Sequence, residues 1–404
     1  MYEPPVVLQT SSLDDPDSEG TAVKITEVVA HPLSVEIDEP SWTAHEFKQR
    51  AELVLVEVRT DEGLTGYGEI QSGPMTEVCR LVERFGEVVE GMDPRGHVAV
   101  WERLMKTTSP RPGGIGGWDD LPPPLPRGQR PQAMAALGGI DIALWDIKGK
   151  AADMPVFRLL GGTDTEVFTY ATGGYYTEEK TAADDATELA GFVADGYDAV
   201  KLKTGALSLD AEVERVRRVR EAIGEDVLLM LDMNATYDVD GCIRFAAAVE
   251  PYDVFWLEEP LHWYLQPADF ARLAAETSIP LAHGEREWHR FTIREFIDSG
   301  AIRYVQFDST RYGGFTESLR IAHYAEQNRV VVAPHTAPHV HAHLVSAFGE
   351  HAFAAESHGS HVRNPIQPAI YRGGPTVEDG RVHLTDDPGF GYTVDRDGVE
   401  ECRA

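Results

Sequence analysis

The chain has 404 residues, 42% of them hydrophobic, and a formal net charge of −31 from 36 basic against 67 acidic side chains. That length accommodates two domains, or one barrel with a companion, around a full apolar core. The charge repels nucleic acid and anionic membrane surfaces, which excludes both as expected partners.

The first segment, 1–21, is polar and acidic and reads as a flexible arm. It lacks the basic start and apolar stretch of a signal peptide, and nowhere is there an apolar run of transmembrane length. Cys79, Cys242 and Cys402 are far apart, with no CxxC and no Cys/His pairing, so no disulfide framework or structural zinc is expected. A reducing cytoplasm is the expected location. Acidic residues spread through the chain, with positive charge mostly from Arg, fit a surface adapted to high salt and hence a halophilic source. The competing explanation is an ordinary acidic cytosolic enzyme.

Residues 22–160 read as an α+β domain. TAVKITEVVAHPLSV and AELVLVEVRTDEGLTGYGEI alternate apolar with polar residues, with DEG as a hairpin turn. Helical periodicity follows in TEVCRLVERFGEVVEGM and PQAMAALGGIDIALWDIKGKAADM. The Pro/Gly-rich stretch between these helices, TTSPRPGGIGGWDDLPPPLPRGQR, neither follows a strand nor opens a helix, so it is no phosphate cradle. A loop of that length is more often functional or interfacial than idle.

Over 161–361 the rhythm becomes strand, loop, helix. The strands are VFTYATG, AVKLKTG, VLLMLDMN, VFWLEEP, LAHGE, YVQFDST, VVVAPHT and FAAES, with helical stretches such as DAEVERVRRVREAIG between them. Near-continuous apolar strands alternating with helices predict a closed parallel barrel whose active site lies at the C-terminal strand ends. Residues 362–404 read as an irregular return onto the first domain.

Asp232, Glu258 and Glu285 each end an apolar run at the period of one strand-helix unit, which brings three carboxylates to one rim. Oxygen donors of this kind suit Mg²⁺ or Mn²⁺ rather than zinc. Lys201 and Lys203 upstream, with Asp308 and His335 downstream, flank that site with proton-transfer groups. The competing explanation, that the acids cap barrel helices, does not account for the flanking motifs.

The motifs in order are KxK at 201–203, DxN at 232–234, EEP at 258–260, GE at 284–285, then Asp308, His335 and Glu356, together with GLTGYGE and IDIALWDIKGK upstream. In this set the chain resembles the enolase superfamily, and within it the mandelate racemase subgroup, over nearly its whole length. The resemblance implies an α/β fold: a (β/α)7β-type TIM barrel with an α+β N-terminal capping domain completed by the C-terminal segment. It implies Asp232, Glu258 and Glu285 as Mg²⁺ ligands supported by Asn234 and Glu259, and Lys203 as base on one face of the substrate. His335, paired with Asp308, would be the acid/base on the other face, and Glu356 would hydrogen-bond the substrate carboxylate. It further implies a homo-oligomer, often an octamer, with cap loops near subunit contacts.

The proton beside a carboxylate is a very weak acid, and a divalent cation offsets the second negative charge that its removal creates. Lys203 must be neutral to accept it. Lys201 shares its strand face and is expected to depress its pKa, and a protonated Glu356 is expected to donate to the substrate. His335 then either returns a proton to the same carbon, giving racemisation or epimerisation, or protonates a departing β-hydroxyl, giving a 2-keto-3-deoxy acid. The motifs do not separate these. Dehydration of a sugar acid is preferred because Trp42, His45, Tyr175, Tyr176, His262 and Arg311 offer a polar lining to a polyol. A barrel that kept its fold and lost catalysis is disfavoured, since every acid, base and ligand position holds a competent residue. His339, His341 and His343 read as core or supporting histidines despite the i,i+4 spacing of His339 and His343; His283 reads as structural, and Arg286 as an ion-pair residue. HVRN at 361–364 is assigned no role.

Overall fold

The computed structural model describes residues 23–109, 121–359 and 363–404. The acidic arm expected over 1–21 lies outside the described residues, as does part of the Pro/Gly-rich stretch.

The chain begins with an antiparallel meander of β1 (Ile25–Trp42), β2 (Phe47–Thr60) and β3 (Thr65–Ile70). The two-residue period of a strand decides what each face of β2 meets. Val54, Val56 and Val58 pack with α1 (Met75–Val89), α2 (His97–Lys106) and α3 (Arg130–Ala152), whereas Ala51, Leu53 and Leu55 pack with the C-terminal segment. This two-sided burial explains why β2 reads as almost wholly apolar. The glycines of GLTGYGE let α3 lie directly on β3. A Cβ on Gly66 would stand 2.1 Å from Ala143 O, and one on Gly68 equally close to Gly139 O.

After a short α4 (Val156–Leu159) the barrel runs as β4 (Glu166–Gly173), α5 (Ala182–Ala194), β5 (Ala199–Lys203), α6 (Leu209–Ile223), β6 (Leu228–Asp232), α7 (Val239–Val249), β7 (Val254–Glu258), α8 (Pro267–Glu276) and β8 (Leu281–His283). It continues with α9 (Arg290–Asp298), β9 (Tyr304–Val305), α10 (Gly314–Gln327), β10 (Val331–Val332), α11 (Pro338–Phe348) and β11 (Ala355–Ser357). Neighbouring strands pair in parallel from β4 to β10, β11 pairs with β4, and a Val332–Ala352 bridge closes the ring. This is the expected (β/α)7β arrangement. Side chains alternate along each strand: Leu229, Leu231 and Leu257 face the helices, while Tyr170, Met230, Trp256, Ala282 and Ala333 fill the barrel interior. Asp232 and Glu258 stand two residues beyond Met230 and Trp256, so they form the next layer of the same interior face.

The last segment comprises α12 (Ile366–Ile370), β12 (Tyr371–Gly373), β13 (Thr376–Glu378), β14 (Arg381–His383), β15 (Tyr392–Val394) and α13 (Arg396–Glu401). Ile366, Ile370 and Val399 cover the outer face of the meander, which matches the expected return. The β13–β14 hairpin does something the sequence reading did not foresee: β14 pairs antiparallel with the start of β4. Among the described residues, no helix is long and apolar enough to cross a membrane.

Candidate active site

Ligand atoms of Asp232, Glu258 and Glu285, on three successive strands or strand ends, all lie within 4.8 Å of one another, and all three side chains are buried. Three buried carboxylates at this spacing repel one another, so their arrangement depends on cations and donors around them. Lys201, itself fully buried, donates to Glu258 Oε1 at 2.5 Å and lies 2.8 Å from Glu356 Oε1. The other oxygen of Glu258 accepts from Gln306 Nε2 at 2.7 Å and from Trp256 Nε1 at 3.1 Å. Even so, burial, reinforced by Asp232 and Glu356, pushes Glu258 well above the usual carboxylate range despite Lys201. Asp232 accepts from Lys203 Nζ and from the backbone N–H of Asn234. Glu285 pairs with Arg311 Nη1 at 2.8 Å, and Oε2 faces His335 Nε2 at 3.1 Å; that last contact is an ion-pair distance without hydrogen-bond geometry, since Oε2 has no hydrogen-bond partner.

Lys203 and His335 occupy opposite ends of this arc, one beside Asp232 and the other beside Glu285. Asp308 as a carboxylate only accepts, so its 2.9 Å bond to His335 fixes the hydrogen on Nδ1 and leaves Nε2 toward the carboxylates. Thr310 supplies two further donors to Asp308, at 2.8 and 2.6 Å. Burial opposes a charge on His335, but Glu285 and Asp308 outweigh it and hold the imidazole above its ordinary value.

One expectation holds in part and one needs correction. Lys203 was expected to be depressed by Lys201. Burial does lower it and Lys201 adds to that, but the adjacent Asp232 outweighs both and holds the ammonium above the usual lysine range. Glu356 was expected to be protonated. Burial favours that form, yet Lys201, with His335 and other cations, keeps it well below the carboxylate range. Both its oxygens are also occupied as acceptors, one from Thr172 Oγ1 at 2.6 Å beside the Lys201 ammonium, the other from Thr336 N at 3.1 Å. Glu356 is therefore an ionised anchor for Lys201.

The supporting residues divide. Asn234 and Glu259 sit at positive φ, 45° and 42°, where the backbone turns off β6 and β7. Asn234 keeps a buried side-chain oxygen without a partner. Glu259 points to Arg286, which donates to both its oxygens at 2.9–3.0 Å and lies 3.9 Å from Glu285, so it acts through Arg286.

The lining residues are placed less uniformly. The ring of Tyr175 lies 5.4 Å from Lys203 Nζ, at the site. The Tyr176 hydroxyl instead donates to Glu212 at 2.6 Å under Arg215, which removes it from the expected lining. Arg311 is committed to Glu285 and Asp308. Trp42 makes a backbone bridge to Tyr176, and His45 Nε2 bonds Ala235 O at 2.9 Å, so both tie the cap to the barrel rim. His262 packs beside His45 and Trp263.

His339, His341 and His343 reach separate partners: Glu69, the Ser309 and Thr336 backbone, and the Phe157 N–H. His341 accepts from Ser309 N and donates to Thr336 O, clamping the two loops that carry Asp308 and His335. His283 packs between Phe270 and Phe296. The sequence reading missed Gln306, Thr172 and Thr336, whose partners belong to other strands, and it missed Lys48, His358 and Arg363. A resident cation is consistent with the donor set: three convergent carboxylates, with buried oxygens on Glu285 and Asn234 that lack a hydrogen-bond donor.

Residues 24–161 match the mandelate racemase/muconate lactonizing enzyme N-terminal domain, and residues 184–398 match the enolase C-terminal domain-like family. Arabinonate dehydratase of Saccharolobus solfataricus is 32% identical over 358 residues, covering 87% of this chain and 90% of that protein. D-galactarolactone cycloisomerase of Agrobacterium fabrum is 33% identical over 398 residues, covering 94% and 99%. Among solved structures, a racemase from Streptomyces coelicolor A3(2) with bound magnesium superimposes with a TM-score of 0.83 at 26% identity, covering 94% of this chain and 100% of that one. The chain belongs to the mandelate racemase/muconate lactonizing enzyme family of the enolase superfamily and is an enzyme.

Proposed function

We propose that the protein is a Mg²⁺-dependent hydro-lyase that removes the proton α to the carboxylate of a sugar acid and expels the β-hydroxyl, giving a 2-keto-3-deoxy acid. The observation that carries this reading is the arc of three buried carboxylates with Lys203 at one end and the Asp308-paired His335 at the other. A base and an acid on opposite sides of one carboxylate-binding site are what an elimination with transfer of two protons requires.

Asp232, Glu258 and Glu285 would hold the cation, which would supply positive charge to offset the negative charge that removal of the α-proton creates. The remaining roles belong to the side chains. Lys203 Nζ takes the α-proton in its neutral form, a form that burial and Lys201 favour and Asp232 opposes. His335, raised by Glu285 and Asp308, would carry its second proton on Nε2 and give it to the leaving hydroxyl, which departs as water. His341 and Thr310 keep Asp308 and His335 in register by binding their loops. Lys201, anchored between Glu258 and Glu356, keeps like charge beside Lys203 without itself reaching the proton.

The preference for dehydration is supported by the dehydratase relative. The test is a panel of mono- and diacid sugars with Mg²⁺, followed for 2-keto-3-deoxy product and for exchange of the α-proton in deuterated water. Keto product with exchange is the expected result. Exchange with inverted configuration and no loss of hydroxyl would replace this reading with racemisation; no exchange with any acid would remove both.

A further inference from the structure

Around the metal-ligand arc every cation has an acidic partner, but on the side facing the cap this is not so. Lys48, on β2, donates to Arg363 O at 3.3 Å, joining the cap to the segment that follows β11. The Arg363 guanidinium lies 3.3 Å from the centroid of the Tyr175 ring, the same ring that Lys203 approaches at 5.4 Å, and donates to Ser41 Oγ. Among the described residues, neither Lys48 nor Arg363 has a carboxylate within ion-pair distance, although the chain holds 67 acids against 36 bases. Both are half-buried. Burial, with Arg363 and Arg311 nearby, brings Lys48 down to about 8 against the opposing pull of Glu46 and Glu52, neither of which comes within ion-pair distance. Burial likewise lowers His358, opposed by Glu356 and reinforced by Lys48, Arg363 and Lys203, and its ring lies 6.2 Å from that of Tyr175.

Two neighbouring cations with no anion between them are an unfavourable arrangement that a bound anion relieves. We propose that Lys48 and Arg363 bind the distal carboxylate of a diacid sugar whose other carboxylate lies at the Asp232–Glu258–Glu285 end. The proposal rests on the sugar-acid lyase reading and narrows it to aldaric acids. The Tyr175 ring adjoins both Lys203 Nζ, at 5.4 Å, and the Arg363 guanidinium, at 3.3 Å, so the cationic pair lies one side chain away from the proposed base. A six-carbon diacid, with carboxyl carbons roughly 6 Å apart when extended, is of that scale. The guanidinium and the ammonium offer donors to both oxygens of a carboxylate, whereas an aldonic acid would put a neutral hydroxyl there.

The test compares kcat/KM for galactarate with galactonate and for glucarate with gluconate, in Mg²⁺, for the wild type and for Lys48→Met, Arg363→Met and Lys48→Arg. The wild type should favour the better diacid over its matching monoacid at least tenfold. Each Met variant should reduce that ratio about tenfold, while Lys48→Arg keeps it. A monoacid preference in the wild type, or Met variants that lower both acids equally or lower only the thermal midpoint, would overturn the proposal and make Arg363 a structural clamp. Monoacid α-proton exchange without any diacid exchange would leave the lyase reading standing and remove this one. If no acid exchanges, the lyase reading itself falls.

Discussion

The two sides of the cavity are built on different plans. The barrel side places Asp232, Glu258, Glu285, Lys203 and His335 at the ends of buried strands, each oriented by one or more charged or hydrogen-bonding neighbours. The cap side is assembled from Ser41, His45 and Lys48 of the N-terminal domain meeting Tyr175, Ala235 and Arg363 of the barrel and the return segment. The first is crowded with opposite charges; the second carries surplus positive charge. The difference teaches that the geometry of the barrel side follows from strand register, while that of the cap side depends on segments distant in the chain meeting one another.

The comparison breaks most completely if the barrel side works without its cation. Chelation with EDTA should abolish α-proton exchange and added Mg²⁺ should restore it, with the far-ultraviolet circular dichroism unchanged; persistent exchange after exhaustive chelation would show that the three carboxylates serve another purpose. Next in size are Lys203→Ala and His335→Asn, each expected to lower kcat by roughly 10²–10⁴. Magnesium binding measured by calorimetry should survive in both. A variant with near-normal kcat would lose its assigned role.

A smaller, pH-dependent effect sharpens the barrel side further. Because Asp308 raises His335, the protonated acid persists to higher pH than it would without that carboxylate and is lost as pH rises through the raised value. Asp308→Asn should therefore move the alkaline limb of kcat downward. A limb that stays in place in the variant would mean that another group sets it.

The smallest effect belongs to the cap. His45→Ala removes one hydrogen bond to Ala235 O, about 1 kcal/mol, and should raise KM roughly fivefold with kcat unchanged. A fall in kcat instead would place the cap turn in the chemical step and blur the division between the two sides.

Much of the barrel side was legible in the sequence. A parallel barrel brings the C-terminal ends of its strands to one rim, so VLLMLD, VFWLE and LAHGE announce where their acids must go once the barrel is recognised. Protonation states were not legible, because they depend on partners from other strands. Lys203 is governed by Asp232, 29 residues on, and Glu356 by Lys201 from the opposite side of β4. Tyr175 and Tyr176 are adjacent in sequence, yet one faces Lys203 and the other a buried ion cluster, a choice made by Glu212 and Arg215 on α6. Arg363 carried no signal at all, since its neighbours Ser41 and Tyr175 lie far away along the chain.

What the sequence by itself determined is the alternation of strand and helix and the acids and bases at the strand ends, because both follow from local periodicity: side chains two apart on a strand share a face, and a period of one strand-helix unit returns the chain to the same rim. Only the tertiary structure decided which carboxylates stay ionised, which tyrosine lines the cavity and which cations lack a partner. Those properties depend on burial and on charges brought together from distant segments, and no local pattern encodes them.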